Sequence, residues 1–300
     1  MSWFRDSSLT WAQLFCVRLL KCGVIPQHAA FIMDGNRRYA KQNNVKKIDG
    51  HSKGFDKLSE TLQWCLDLGI SEVTVYAFSI ENFKRSKEEV EDLLELARQK
   101  FQRLLEEKEK LMENGVRIRV IGNMSLLPLD LARLIAEVEL LTKDNSKAIL
   151  NVAFAYTARD EMTEAFKKIV EAHQSSDLDT SDINVHLLSQ SLYTRGSPYP
   201  DLYIRTSGEK RLSDFLLYQS AYSYLHFSDV LWPDFTAWHL LAAVFHYQRT
   251  YPQLARTRAS LSTVKPRLSE KAVKFLQTLD ENHWKTAACI MTNYSKEVHV

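Results

Sequence analysis

Short apolar runs of strand character alternate along this chain with stretches of helical periodicity, and that alternation limits the folds open to it. The runs at 29–33, 73–78, 116–121 and 149–156 are rich in small apolar, β-branched and aromatic residues, which predicts strands. The last is almost continuously apolar, as a strand buried on both faces must be. Shorter runs at 202–205 and 225–231 predict two more. Val90, Leu94, Ala97, Phe101, Leu104, Leu105 and Leu111 recur at three- and four-residue spacing, the signature of one face of a long helix. Ser86 and Glu89 would open it as a capping box, and Gly115 would close it. Helices are also expected from about residue 54 to Leu68 with Gly69 as C-terminal cap, over 129–141 after Pro128, and from Thr157 to about Ala172. Strand–helix alternation of this kind predicts an α/β fold: a single domain with a mainly parallel central sheet flanked by helices. The 300 residues, 45% of them hydrophobic, suffice to bury the core of one large domain.

The remaining composition excludes more than it suggests. A net charge of +2 provides no global basic field, so nucleic acid is not an expected partner, and anion binding must come from local clusters. Cys16, Cys22, Cys65 and Cys289 form no CxxC pair and read as free thiols in a reducing compartment. No run of about 18 apolar residues occurs, so no helix of membrane-spanning length is expected. Residues 9–20 are largely apolar but interrupted by Gln13 and Arg18, and no small-residue cleavage pattern follows them, so a signal peptide is not expected. Trp11, Leu14, Phe15, Arg18, Leu19 and Lys21 suit an amphipathic helix with a basic edge. Such a helix can lie on a membrane surface or dock on the protein's own core, and the two readings are compatible.

Polar clusters follow three of the runs, at the carboxyl ends where open α/β sheets bind ligands. The first is Asp34-Gly35-Asn36-Arg37-Arg38: a hard oxygen ligand for a cation, a glycine that lets backbone N–H groups approach an anion, and two guanidinium forks matched to phosphate oxygens. A Mg-diphosphate site fits that set; an Asp-Gly turn with solvated arginines is the plain alternative. The second is Ser79 to Arg85, in which Ser79 and Asn82 can hydrogen-bond a phosphate or orient a water and Arg85 precedes a helix; alone it reads as an ordinary strand-to-helix loop. The third places Arg205 at a strand end, Gly208 in a turn, then Arg211 and Ser213. Five arginines at strand ends suit two diphosphates better than a single phosphate.

The segments FIMDGNRRYAK, Gly50-His51, YAFSIENFKRS and DLYIRTSGEKRLSDFLLYQ, with VLWP after them, resemble the signature blocks of the cis-prenyltransferases (undecaprenyl and dehydrodolichyl diphosphate synthases), in order and spacing. The resemblance, strongest to the eukaryotic branch, spans most of the chain. It implies condensation of farnesyl diphosphate with isopentenyl diphosphate in the presence of Mg2+, and a hydrophobic tunnel lined by the helix that starts near Ser86. By position, Asp34 would bind the metal; Gly35, Asn36, Arg37, Arg38 and Arg85 would hold the allylic diphosphate; Arg205, Arg211 and Ser213 would hold isopentenyl diphosphate; and His51, Ser79 and Asn82 would support catalysis. The DDxxD motifs of trans-prenyltransferases are missing, in keeping with the cis class.

Two departures stand out. Homodimeric bacterial relatives carry a glutamate where this chain has Tyr224, so metal binding is expected to rest more heavily on Asp34. Homomeric members also carry an Arg-x-Gly near the C-terminus, whereas the last glycine here is Gly208. The resemblance therefore implies a heteromer with a Nogo-B-receptor-like subunit that supplies Arg-x-Gly, at the cytosolic face of the endoplasmic reticulum. The expected division is an amphipathic segment at 1–24, a catalytic domain at 25–250 and a charged helical tail at 251–300. Replacing Asp34 is expected to spare folding, because a strand-end carboxylate facing a cleft supports no core.

Overall fold

The computed structural model describes residues 3, 8–261 and 267–297. Six strands form one sheet: β1 (His28–Ile32), β2 (Glu72–Ser79), β3 (Val116–Ile121), β4 (Ala148–Tyr156), β5 (Leu202–Arg205) and β6 (Tyr224–Phe227). Their order is β3-β4-β2-β1-β5-β6, and every pairing is parallel. The chain builds outward from β1 on one side, then returns to lay β5 on the other. The strand order thus reverses at β1, the position where open α/β sheets hold ligands.

Ten helices cover the sheet among the described residues: α1 (Trp11–Leu20), α2 (Asn36–Gln42), α3 (Lys47–Leu68), α4 (Lys87–Glu106), α5 (Lys108–Glu113), α6 (Leu129–Thr142), α7 (Ala158–Gln174), α8 (Val185–Ser191), α9 (Ala237–Leu261) and α10 (Glu270–Glu297). Their ends follow the expected chemistry. Gly69 takes a φ of 89° after α3, the Ser86 hydroxyl accepts from Glu89 N, and Thr157 caps α7 by accepting from Asp160 N. The main core lies on one face of the sheet, where Phe31, Val75, Val120 and Val152 pack under α3, α4, α6 and α9. The other face carries Ala30, Ile121, Ala153 and Tyr203 beneath Phe215 and the start of α7.

Three elements differ from the sequence expectation. Residues 36–42 form a helix directly after the Asp34-Gly35 turn, where no helix was expected, and α3 begins seven residues before Gly54, so Arg37, Arg38 and His51 all stand on helices. The single long helix after Ser86 is broken at Glu107, which sits outside helical geometry and whose carboxylate accepts from Trp3 N at 2.9 Å. The final strand stops at Phe227. The tail is helical, and α10 lies against α6 and α8, with Ala272, Phe275 and Ala287 buried. At the other end α1 buries Val17 and Leu20 and turns Trp11, Phe15 and Leu19 outward.

Just past the end of β3, Gly122 packs directly on the backbone of β4. Its φ is 144°, and a Cβ built there would lie 2.0 Å from Phe154 O. Gly122→Ala is therefore expected to destabilise the fold by about 3 kcal/mol or more, since both backbone strain and a backbone clash must be relieved. Thermal and denaturant melts measure it directly; an unchanged midpoint would mean the strands do not approach this closely.

Candidate active site

Asp34 lies two residues beyond β1 and is strapped in place by its backbone. Its N–H donates to Thr206 Oγ1 (3.0 Å), the Thr206 hydroxyl donates to its carbonyl (2.7 Å), and Trp232 N donates to the same carbonyl (3.0 Å). Its carboxylate accepts from Gly35 N at 2.8 Å through Oδ1 and from Arg205 Nη2 at 2.8 Å through Oδ2. Arg205 ends β5, paired in register with Ile32, and its side chain is only 3% exposed. It also donates to the carbonyl of Arg211 and to Ser213 Oγ (2.7 Å), while its Nε is buried without a partner.

α2 carries Asn36, Arg37 and Arg38 along the cavity. It packs tightly on α3 because position 50 is glycine: a Cβ there would meet Asn36 O at 2.5 Å. This brings His51 beside the arginines. Burial, and then the charge of Arg85, pushes the His51 imidazole down to about 4, so it is neutral near pH 7, and its Nε2 is buried without a partner. Asn36 Oδ1 is buried and unpartnered as well. Ser79 and Asn82 cap a short turn reciprocally: the Ser79 hydroxyl accepts from Glu81 N (3.2 Å), and Asn82 Oδ1 accepts from Ser79 N (3.0 Å). That exchange fixes both side chains at the cavity wall.

All twelve residues singled out from the sequence, Asp34, Gly35, Asn36, Arg37, Arg38, His51, Ser79, Asn82, Arg85, Arg205, Arg211 and Ser213, line one cavity of about 800 Å3. Tyr224 does not line it; it sits at the opposite, N-terminal end of β6, so a carboxylate at that position would stand away from Asp34 of the same chain. Beyond the polar mouth the wall is apolar, with Leu58, Phe78, Leu93, Leu96, Phe101 and Phe154. Trp3 belongs to this wall too, set edge-on to Phe55 at 4.4 Å and donating from Nε1 to Lys100 O at 2.9 Å.

The sequence reading missed the carboxylates that hold the cations. Glu89 looked like a capping residue only, yet its side chain meets Arg85 at 2.9 Å, Lys47 at 3.2 Å and Arg37 at 3.5 Å. Burial works against its ionised form, but Lys47, Arg85 and Arg37 together hold it below the usual range. Glu209 bridges Arg38 (3.5 Å) and Arg211. Arg159 also lines the cavity; its place just beyond β4, a fourth strand end, was the available signal.

A divalent cation fits this donor set in one way. No group of three or more His, Cys, Asp or Glu that could hold a metal occurs among the described residues; of the cavity's carboxylates, Asp34, Glu81, Glu209 and Asp214, Asp34 stands at the end of β1 between the arginine clusters. Mg2+ suits that, since it binds through one or two carboxylates together with substrate phosphates and keeps several waters.

Comparison with known proteins places this geometry. The family model described as "Putative undecaprenyl diphosphate synthase" matches residues 32–254, the span that holds every cluster above. The chain belongs to the cis-prenyltransferase family. Among these prenyl-transferring enzymes it is 55% identical over 258 residues to the human dehydrodolichyl diphosphate synthase complex subunit DHDDS, covering 86% of this chain and 78% of that protein. It is 46% identical over 242 residues to a tritrans,polycis-undecaprenyl-diphosphate synthase (geranylgeranyl-diphosphate specific) of Pyrococcus abyssi, covering 81% and 91%. Among solved structures it is similar to lavandulyl diphosphate synthase from Lavandula x intermedia in complex with dimethylallyl diphosphate. The TM-score is 0.71 at 33% identity, over 75% of this chain and 95% of that one. The cavity has arginines at its mouth and an apolar wall beyond them.

The Asp34–Arg205 pair changes one expectation. Asp34→Ala strips the carboxylate from a nearly buried guanidinium, so it is expected to lower turnover by at least about 10²-fold and also to lower the melting temperature, because an uncompensated buried charge is costly. Asp34→Asn, which can still accept from Arg205, should lose turnover with a smaller loss of stability; equal melts for the two variants would refute the pairing. His51 gives a pH signature. Its folded pKa of about 4 lies below the ordinary imidazole value of 6.5, so the unfolded chain binds the extra proton between those values, and stability is lost as pH falls through that window. His51→Gln should shrink the drop in melting temperature between pH 7 and pH 5; an unchanged drop would place the imidazole in solvent.

Proposed function

We propose that this chain is the catalytic subunit of a dehydrodolichyl diphosphate synthase complex. It condenses farnesyl diphosphate with successive isopentenyl diphosphates in the presence of Mg2+ to give long-chain dehydrodolichyl (polyprenyl) diphosphate, the precursor of dolichol for protein glycosylation. One observation carries the reading: cations on two sides of Asp34, at the mouth of an apolar cavity of about 800 Å3. Arg37, Arg38 and Arg85, with Gly35 and Asn36, form the allylic side. Arg205, Arg211 and Ser213 form the isopentenyl side.

Asp34 would hold Mg2+, which when bound neutralises charge developing on the departing diphosphate. The arginine forks bind the two diphosphates, orient them toward each other and stabilise the leaving group from fixed positions. The apolar wall keeps water from the allylic C1 as cationic character develops there. The isopentenyl double bond attacks C1, and loss of a proton leaves the new Z double bond. His51, neutral and with a free Nε2, Ser79 and Asn82 support this arrangement at the wall.

The partner and the location follow from what the chain leaves outside. The human relative is named as a subunit of a complex, and residues 209–300 hold no glycine, so the Arg-x-Gly that homomeric relatives use is assigned here to a Nogo-B-receptor-like subunit. The edge strand β6 with α9 is the surface such a subunit fits: Leu225, Trp238 and Phe245 are exposed there. Each added isoprene unit is worth about 4 kcal/mol of apolar transfer, at roughly 0.8 kcal/mol per carbon. A product of many units therefore leaves into lipid rather than water. Trp11, 84% exposed, with Leu14, Phe15 and Leu19, gives α1 an apolar face for peripheral contact with the cytosolic face of the endoplasmic reticulum.

Replacing Arg211 with Lys should raise KM for isopentenyl diphosphate by about tenfold or more while changing the allylic KM little, since a point charge loses the bidentate fork. Arg37→Lys or Arg38→Lys should show the reverse bias, and equal effects on both substrates would merge the two pockets. Reconstitution tests the heteromer. Radiolabelled isopentenyl diphosphate should be incorporated onto farnesyl diphosphate only weakly by the chain alone, and strongly once a partner with intact Arg-x-Gly is added. Full activity from the chain alone would overturn the heteromer, and a preference for geranylgeranyl diphosphate would overturn the choice of starter.

A further inference from the structure

The loop that presents Arg211 and Ser213 has an unusual backbone. Ser207 (φ 80°), Ser213 (φ 48°), Asp214 (φ 59°) and Leu216 (φ 47°) are all left-handed, and none is glycine. Each such residue costs on the order of 1–3 kcal/mol and persists only where its surroundings over-determine it. From below, the loop hangs on two tyrosines and an arginine. Tyr76 Oη donates to Ser213 O (3.3 Å), Tyr203 Oη donates to Phe215 O (3.2 Å), and Arg205 donates to Ser213 Oγ (2.7 Å).

From the side, one residue holds it. The Asp214 carbonyl accepts from Ala158 N at 2.7 Å. Its carboxylate accepts from Arg159 N at 3.1 Å and from Arg159 Nε at 2.7 Å. The first two N–H groups of α7 are thereby satisfied by a loop 55 residues further along the chain, in addition to the cap from Thr157. Asp214 is 12% exposed and Arg159 73% exposed in their side chains, and both line the cavity. A carboxylate on the wall of a diphosphate site repels its ligand unless a cation neutralises it, and Arg159 is that cation.

We propose that Asp214 and Arg159 are positioning residues for isopentenyl diphosphate. Asp214 clamps the left-handed loop to the start of α7, which sets Ser213 and Arg211 in place, and Arg159 both anchors and neutralises the clamp. The proposal rests on the assignment of Arg205, Arg211 and Ser213 to isopentenyl diphosphate. Two consequences follow from the geometry. An asparagine at 214 tolerates the left-handed backbone and still accepts from the α7 N–H groups, so it preserves the clamp that an alanine breaks. Removing Arg159 leaves the carboxylate unneutralised, and removing that charge as well relieves the repulsion.

The test is steady-state kinetics on the assembled complex, with hydrogen–deuterium exchange of the 206–216 amides in the absence of substrate. Asp214→Ala should raise KM for isopentenyl diphosphate by about tenfold or more, the cost of a hydrogen bond to a charged group, with the allylic KM little changed and faster exchange in the loop. Asp214→Asn should recover most of both effects. Arg159→Ala should raise the isopentenyl KM, and the double variant Arg159→Ala/Asp214→Asn should be less impaired than Arg159→Ala. An unchanged isopentenyl KM in Asp214→Ala, equal losses on both substrates, or Asp214→Asn as impaired as Asp214→Ala would overturn the proposal. If the unaltered complex incorporates no isopentenyl diphosphate, the proposed function fails instead, and the exchange comparison still decides whether the clamp exists.

Discussion

A guanidinium that is 3% exposed has to be paid for, and Arg205 is the group around which this active site is organised. Its charge is met by Asp34 from the neighbouring strand end, while its Nη1 donates to the backbone and side chain of the loop that follows its own strand. One ion pair thus joins the ends of β1 and β5 on the two sides of the point where the strand order reverses. The loop after β5 wraps about the same side chain. Both anion pockets therefore share a single rigid reference, which is what a reaction between two diphosphates needs: a displacement of an ångström between reacting groups is costly.

Around that reference every cation of the mouth is already matched with a carboxylate. Glu89 gathers Arg85, Arg37 and Lys47, Glu209 joins Arg38 to Arg211, and Asp214 holds Arg159. The forks are held in place before any ligand arrives, so less side-chain freedom is lost on binding. An anionic substrate then exchanges one set of negative partners for another. Deeper in the cavity the ammonium of Lys100 rests 4.1 Å from the Phe55 ring centre. The cavity is thus divided into a polar mouth that orients and an apolar barrel that accommodates hydrocarbon.

The surface continues the same logic. α1 docks Val17 and Leu20 against the protein and turns Trp11, Phe15 and Leu19 outward. β6 is the edge strand beyond β5, and apolar side chains stand exposed beside it, a combination that isolated chains tend to cover.

Much of this was legible in the residues themselves. The alternation of strand and helix patterns, the caps at Gly69, Ser86 and Thr157, and the polar clusters at three strand ends are local features. Local propensity and side-chain chemistry act over a few residues, so the sequence alone determined the α/β class and marked the three polar clusters as candidates, while His51 was nominated only by the family resemblance. It could not determine their pairing. Whether Arg37 and Arg38 lie in a turn or on a helix depended on the close approach that Gly50 permits. Whether Asp34 could be removed without harm depended on Arg205, 171 residues away, being buried against it. The roles of Glu89, Arg159 and Asp214 were likewise decided by which strand ends become neighbours. That order is set by packing across the whole sheet, where burial of charge enforces partners that no local pattern records.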